Sequence, residues 1–177
     1  EKFLPRITSV VSKIFFIYIS LTIACIFSYF YFGMSIFDAI THGFTTISTG
    51  GFSTHNESLA FFNSNRILLI SIIFMITGSL PFILLAQVSL KNPFILFKDQ
   101  QIRLFISIII VLIVSLYLII GNKIFDTATS KVISISFNSI SIITGTGYVS
   151  DNFENWGNYS SVLFLLIMFI GGCAGST

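Results

Sequence analysis

The nine basic and seven acidic residues of this 177-residue sequence fence off long runs that carry no charge. Residues 14–37 lie between Lys13 and Asp38, residues 67–90 between Arg66 and Lys91, and residues 104–122 between Arg103 and Lys123. After Glu154 the chain is uncharged to Thr177. A helix rises about 1.5 Å per residue and the hydrocarbon core of a bilayer is about 30 Å thick, so roughly 20 apolar residues cross it. The first three runs meet that length. Composition excludes the alternatives. Charged residues make up 9% of the chain, against about 25% in a soluble domain that must wet its surface. Hydrophobic residues make up 54%, 21 of them Phe, which disordered segments do not have. Twelve Gly without a period exclude a collagen-like chain. The expectation is an all-α membrane protein.

Basic residues in short loops set orientation. The link 91–103 holds Lys91, Lys98 and Arg103 against Asp99 alone, and the amino-terminal flank holds Lys2, Arg6 and Lys13. Both regions are expected on the cytoplasmic side. Asp38, Glu57, Asp126, Asp151, Glu154 and Arg66 then fall toward the other face, with Lys123 and Lys131 as exceptions. The chain opens without Met and stops directly after an apolar run, and it reads as an internal piece of a longer protein. Its first apolar run is too long for a signal peptide. Cys25 and Cys173 both fall in apolar segments and read as small packing residues rather than a disulfide framework. A net charge of +2 without a basic stripe gives no sign of nucleic-acid binding.

Two further segments, 39–56 and 132–150, are neutral but not greasy. Each is rich in Ser and Thr and carries a glycine-containing stretch followed by an aromatic residue. A water-exposed loop would include Lys, Glu or Pro, and a spanning helix would not hold so many hydroxyls. A short helix that dips partway into the membrane and returns as extended chain satisfies both facts, with helices expected near 38–47 and 127–142. The two segments repeat one another. Ser48-Thr49-Gly50-Gly51-Phe52 matches Thr144-Gly145-Thr146-Gly147-Tyr148 at a constant separation of 96 residues, and Ile36-Phe37-Asp38 resembles Ile124-Phe125-Asp126. An apolar span precedes and follows each dip, so the unit is helix, dip, helix, and it occurs twice in the same orientation. Repeats over 1–98 and 99–177 are expected.

Backbone amides in hydrocarbon must be satisfied, so irregular chain at membrane depth survives only buried in protein or lining a wet cavity. Rings of peptide oxygens can replace the hydration shell of an alkali cation. Successive carbonyls face one axis only where some residues take φ > 0, which glycine does without a Cβ penalty. Gly51 and Gly147 are the candidates for that conformation. Ser48, Thr49, Gly50, Thr144, Gly145 and Thr146 supply the remaining oxygens, and Phe52 and Tyr148 are expected to wedge the strands against neighbouring helices. The dipping helices would aim their carboxyl ends, each carrying roughly half a negative charge, at the middle of the path. The reading is a cation pathway lined by backbone oxygen.

The last apolar segment is interrupted. From Ser161 to Ile170 it runs for ten residues and then gives way to Gly171-Gly172-Cys173-Ala174-Gly175-Ser176-Thr177. Each interior glycine costs a helix roughly 1 kcal/mol relative to Ala, so the helix is expected to unwind there. Broken helices mark ion sites in transporters, whereas a small-residue interface for close helix packing is the plainer reading. Other residues have plain readings as well. His55 reads as a solvated loop residue at the outer mouth, and His42 as the maker of a structural hydrogen bond. Two histidines without a partner at metal spacing give no transition-metal site. Asp38 and Asp126 read as helix caps or as attractors of cations. Pro81 reads as a bend in the outgoing helix, and Trp156 and Tyr159 as interfacial anchors.

At these motifs the sequence resembles the Trk/Ktr/HKT superfamily of potassium transporters, and within it the bacterial TrkH/KtrB-type membrane subunits. Ser48 to His55 resembles the filter of that family's second helix–pore–helix unit, and Ile143 to Tyr148 the filter of its third. Gly78-Ser79-Leu80-Pro81-Phe82 resembles the second unit's outgoing helix, and Gly171 to Thr177 the point where the third unit's second helix is interrupted. The resemblance implies helix–pore-loop–helix repeats of potassium-channel type, four-fold pseudo-symmetric in the intact chain. It implies K⁺ uptake across a bacterial inner membrane, with residues 171–177 forming an intramembrane gate below the filter. It further implies no cofactor beyond the transported K⁺, a homodimer, and a cytosolic nucleotide-binding regulatory subunit. Many relatives carry Thr where Gly145 stands.

Other functions compete with K⁺ uptake. One is a non-selective or sodium-conducting multi-repeat cation channel. Another is an intramembrane hydrolase using Ser176, which lacks a Gly-x-Ser-x-Gly elbow. A purely structural membrane subunit is the third.

Overall fold

The structure, a computed structural model, describes residues 3–88, 95–120 and 127–170. Helix α1 runs Phe3–Tyr31, α2 Ile36–Ile47, α3 Asn65–Gly78 and α4 Phe82–Leu85. Then come α5 Ile95–Lys98, α6 Gln100–Ile119, α7 Ala128–Ile143 and α8 Asn158–Ile167. Short 3-10 turns occupy Ser58–Phe62 and Phe153–Trp156, and no strand occurs among the described residues. The chain is thus an all-α membrane protein in which a long helix, a short dipping helix and an outgoing helix appear twice, as α1–α2–α3 and α6–α7–α8.

Burial is inverted relative to a water-soluble fold. Phe16 on α1 is 72% exposed and Leu118 on α6 is 77% exposed, while Thr46, Ser71, Ser139, Ser141 and Thr144 are wholly buried. Water would reverse that arrangement. In hydrocarbon the polar groups belong inside, where they can bond one another. The stretches Val10–Tyr31 and Gln100–Ile119 are long and apolar enough to cross a membrane.

Each dip begins with a side-chain cap. Ser35 accepts from the Asp38 amide at 3.1 Å, and its hydroxyl donates to Asp38 Oδ2 at 2.7 Å, a reciprocal arrangement close to a capping box. Asp38 is therefore the third residue of α2 rather than its cap. Thr127 caps α7 by accepting from the Ser130 amide at 3.2 Å, and Asp99 caps α6. Lys131, an exception to the charge segregation, is buried and donates to the Ile120 carbonyl at 2.5 Å, with its ammonium 4.4 Å from the Tyr117 ring centre. A cation at the carboxyl end of α6 meets the negative pole of that helix.

Residues 67–90 do not form one span. Helix α3 stops at Gly78, Ser79 caps it, and a new helix starts only after Pro81. Proline lacks an amide donor and bars helical geometry from the residue before it, so the helix ends where a bend was expected. The 14 residues of α3 reach about 21 Å. The carboxyl end of α3 also abuts α2: a Cβ on Gly78 would lie 2.9 Å from the Ile47 carbonyl oxygen. Trp156 departs from its expected interfacial place. It is buried, with its ring 6.0 Å from that of Phe164, while Tyr159 is exposed. Helix α3 packs on α7, so Tyr29, Met75, Phe137, Tyr148 and Phe164 belong to one core that joins the two units.

Candidate functional site

Both dipping helices end in the same way. After α2, the Ser48 amide bonds the Phe44 carbonyl at 3.1 Å, and the amides of Gly50 and Gly51 converge on the Thr45 carbonyl at 2.8 and 3.2 Å. After α7, the Thr144 amide bonds the Ile140 carbonyl at 2.9 Å, and the Gly147 amide reaches the Ser141 carbonyl at 3.1 Å. Thr45 and Ser141 are equivalents at the 96-residue separation. Gly51 has φ +64° and Gly147 φ +84°, the left-handed conformation expected of them. Each loop holds a second left-handed residue, Thr49 at +52° and Gly145 at +73°, while Gly50 and Thr146 between them do not have positive φ. Alternating hands turn successive peptide dipoles to one side of the chain.

The left-handed backbone at Gly51 and Gly147 is legible in the sequence, and that at Thr49 and Gly145 is not. A β-branched residue with φ > 0 is an outlier, so Thr49 gives no signal of its own. The available clue was the glycine at its equivalent, Gly145.

Side chains pin each loop to its helix. Thr45 Oγ1 donates to the Phe52 carbonyl at 2.9 Å, and Ser141 Oγ donates to the Tyr148 carbonyl at 2.8 Å. One turn earlier, His42 Nδ1 lies 2.8 Å from the Asp38 carbonyl and Nε2 lies 2.9 Å from Ser53 Oγ. A carbonyl only accepts, so Nδ1 carries the proton and the neutral ring accepts from Ser53 at Nε2. The equivalent Asn138 donates to the Ser134 carbonyl at 3.0 Å and to Ser150 Oγ at 2.9 Å. His42 thus has the structural role expected of it, and Asn138 repeats that role with a different side chain. These pins were not visible in the sequence, where the residues read only as hydroxyl-rich helix.

The two loops meet. A Cβ added to Gly51 would lie 1.7 Å from the Thr146 carbonyl oxygen, whereas one on Gly145 or Gly147 would meet nothing within 4 Å. Outside the loops, the Ala60 amide bonds the Val149 carbonyl at 3.1 Å, and the Val149 amide bonds Ser58 Oγ at 3.2 Å. Tyr148 wedges inward as expected, 1% exposed, with its hydroxyl 2.5 Å from Thr45 Oγ1. Phe52 does not, being 77% exposed.

At the start of α2, Asp38 receives hydrogen bonds from Thr54 at 2.6 Å and Ser35 at 2.7 Å. These donors, Thr54 first, hold its carboxyl below the usual carboxylate range. His55 stacks on Phe61 at 3.6 Å and places Nε2 3.3 Å from Asp38 Oδ1, within ion-pair distance but without a hydrogen bond. No carboxylate stands in either loop. The negative poles at the loops are the carboxyl ends of α2 and α7. The candidate gate, Gly171, Gly172, Cys173, Ala174, Gly175, Ser176 and Thr177, lies outside the described residues.

Comparison with known proteins places this geometry in context. The family described as TrkH, cation transport protein, matches residues 1–177. The Trk system potassium uptake protein TrkH of Salmonella typhimurium is 38% identical over all of this chain, which covers 37% of that protein. The Trk system potassium uptake protein TrkI of Halomonas elongata is 32% identical over all of the chain, which covers 36% of it. Among solved structures, the crystal structure of the potassium transporter TrkH from Vibrio parahaemolyticus superposes with a TM-score of 0.91 at 35% identity. That match covers 97% of this chain and 37% of the transporter's. The chain therefore spans little more than a third of the length of the relatives it matches.

Proposed function

The chain belongs to the TrkH family of cation transport proteins, and from that premise we propose that it forms part of a K⁺ uptake path in a bacterial inner membrane. The selectivity filter consists of the backbone at Ser48, Thr49, Gly50, Gly51 and Phe52 together with Thr144, Gly145, Thr146, Gly147 and Tyr148. The observation that carries this reading is the paired loops: two stretches of alternating handedness, in close contact, at the carboxyl ends of two short helices.

The mechanism follows from that geometry. An ion leaving water loses its hydration shell and needs oxygen ligands at once. The loops present peptide oxygens without a competing charged side chain, and the carboxyl poles of α2 and α7 favour a cation where water is thin. Pins from Thr45 and Ser141 hold the oxygens in place before the ion arrives, so little reorganisation is needed. Basic flanks, including Lys98 and Arg103, lie on the cytoplasmic side, and Asp38 and His55 at the outer mouth. Residues 171–177 gate the path from below. The division between repeats falls at 98/99, ahead of the Asp99 cap of α6. The intact protein is a homodimer and answers to a cytosolic nucleotide-binding subunit.

The test is ion flux through the full-length protein in K⁺ and in Na⁺. The parent passes K⁺ in preference, and Gly147→Ser lowers that preference while leaving the protein in the membrane. A parent that passes both ions equally is a non-selective channel. A Gly147→Ser protein with unaltered preference removes the filter from these residues.

A further inference from the structure

Behind the loops runs a line of buried hydroxyls that joins the two units. Tyr29 on α1 donates to Ser71 Oγ on α3 at 2.9 Å, and Ser71 donates to the Ile67 carbonyl at 2.8 Å. Tyr29 also lies 2.9 Å from Thr46 Oγ1 on α2. Thr46 Oγ1 is 3.2 Å from the Tyr148 hydroxyl, which donates to the His42 carbonyl at 3.2 Å and lies 2.5 Å from Thr45 Oγ1. Thr45 in turn donates to the Phe52 carbonyl. Tyr29, Thr46 and Ser71 are wholly buried and Tyr148 is 1% exposed.

We propose that this line sets the separation of the two filter loops, and that Tyr29, which belongs to neither loop, is a positioning residue for ion preference. The inference rests on the reading of the loops as the filter.

The hydroxyls of the line share few protons among many acceptors, so the choice made at one affects its neighbours. Each hydroxyl has one proton, and the Tyr29 proton goes to Ser71. The Tyr29–Thr46 contact is then a hydrogen bond only when Thr46 turns its proton to Tyr29 and away from the His42 carbonyl 2.6 Å off, while Tyr148 has one proton for the His42 carbonyl, Thr46 and Thr45. A hydroxyl lost at one place leaves a buried group unsatisfied further along, where a low dielectric makes that costly. Thr45 gives the line its consequence. It touches both the second loop's aromatic and the first loop's carbonyl. Tyr148 belongs to the second loop and the carbonyl it influences to the first, so the line holds one loop against the other. A buried phenol on α1 cannot touch an ion. Any effect it has on ion preference passes through loop geometry, and such sites tolerate misplacement of only about 0.5 Å.

The test uses the full-length protein in vesicles. Tyr29→Phe keeps the ring and its packing and removes the hydroxyl. The expected result is a fall of about fivefold in the K⁺-over-Na⁺ uptake ratio, the scale of one lost hydrogen bond, with membrane abundance held near the parent's. Thr46→Val breaks the line from the other side and should give a similar fall. The double variant should fall no further than either single one, because the line is broken once. An unchanged ratio in Tyr29→Phe, beside a changed ratio in Gly147→Ser, overturns the positioning role and leaves the filter standing. Unchanged ratios in both overturn the filter reading itself. Lower abundance with the ratio preserved assigns Tyr29 to folding alone and overturns the proposal. Should Tyr29→Phe fail to accumulate, Ser71→Ala removes the phenol's acceptor without touching the ring, and the same outcomes decide.

Discussion

Gly51 and Gly147 occupy the same place in their loops and share a left-handed backbone, yet they are not equally constrained. Gly51 is fixed twice, by its φ of +64° and by the Thr146 carbonyl, 1.7 Å from where a Cβ would stand. Gly147 is fixed by φ alone, since nothing lies within 4 Å of its missing Cβ. A contact that close cannot be relieved by a rotamer, because the obstructing atom is backbone. Gly51→Ala should therefore cost the full-length protein several kcal/mol and much of its membrane abundance, whereas Gly147→Ala should cost about 1 kcal/mol, the ordinary penalty of a left-handed alanine. Thermal unfolding of the two purified variants checks the order. Equal losses would mean that the loops do not touch. The glycines themselves were legible in the sequence, because a repeated glycine before an aromatic in a hydroxyl-rich run has few other uses. The unlike demands on them were not, since they arise from a neighbour 96 residues away.

At the scale of elements, the dips were expected near 38–47 and 127–142 and are Ile36–Ile47 and Ala128–Ile143. Their glycine ends and capping Ser or Thr residues mark them locally. The outgoing run 67–90 was read as one span because hydropathy does not register a missing amide, and Pro81 divides it. Asp38 reads in the sequence as a cap of α2 or an attractor of cations, and the structure gives the cap to Ser35. That difference bears on pH. The Asp38 carboxyl is held below its ordinary range by Thr54 and Ser35, so its ionised form is favoured in the folded state. The stabilisation is complete above the ordinary carboxylate pKa and is lost as pH falls through the lowered one. Asp38→Asn should lower the melting temperature at neutral pH and flatten its decline on acidification. Parallel acid declines in parent and variant would deny Asp38 that role. Trp156 misled for a related reason: an amphipathic ring next to a loop is the signature of an interface, and only packing against Phe164 shows it turned inward.

For the whole molecule, the family and the doubled run of long helix, short helix and outgoing helix were legible in the sequence, because charge spacing and an internal repeat are global signals. The gate proposed at 171–177 is tested in the intact protein. Deleting residues 172–176 should raise ion flux, and flux unchanged from the parent would remove the gate from that segment. The joint between the units carries a consequence of its own. Tyr148 is buried against Thr45, Thr46 and His42 of α2, while its counterpart Phe52 stands 77% exposed. The contact is heterologous: knob and socket are different surfaces. A joint between unlike surfaces has a direction, so the first unit and the second are not interchangeable across it.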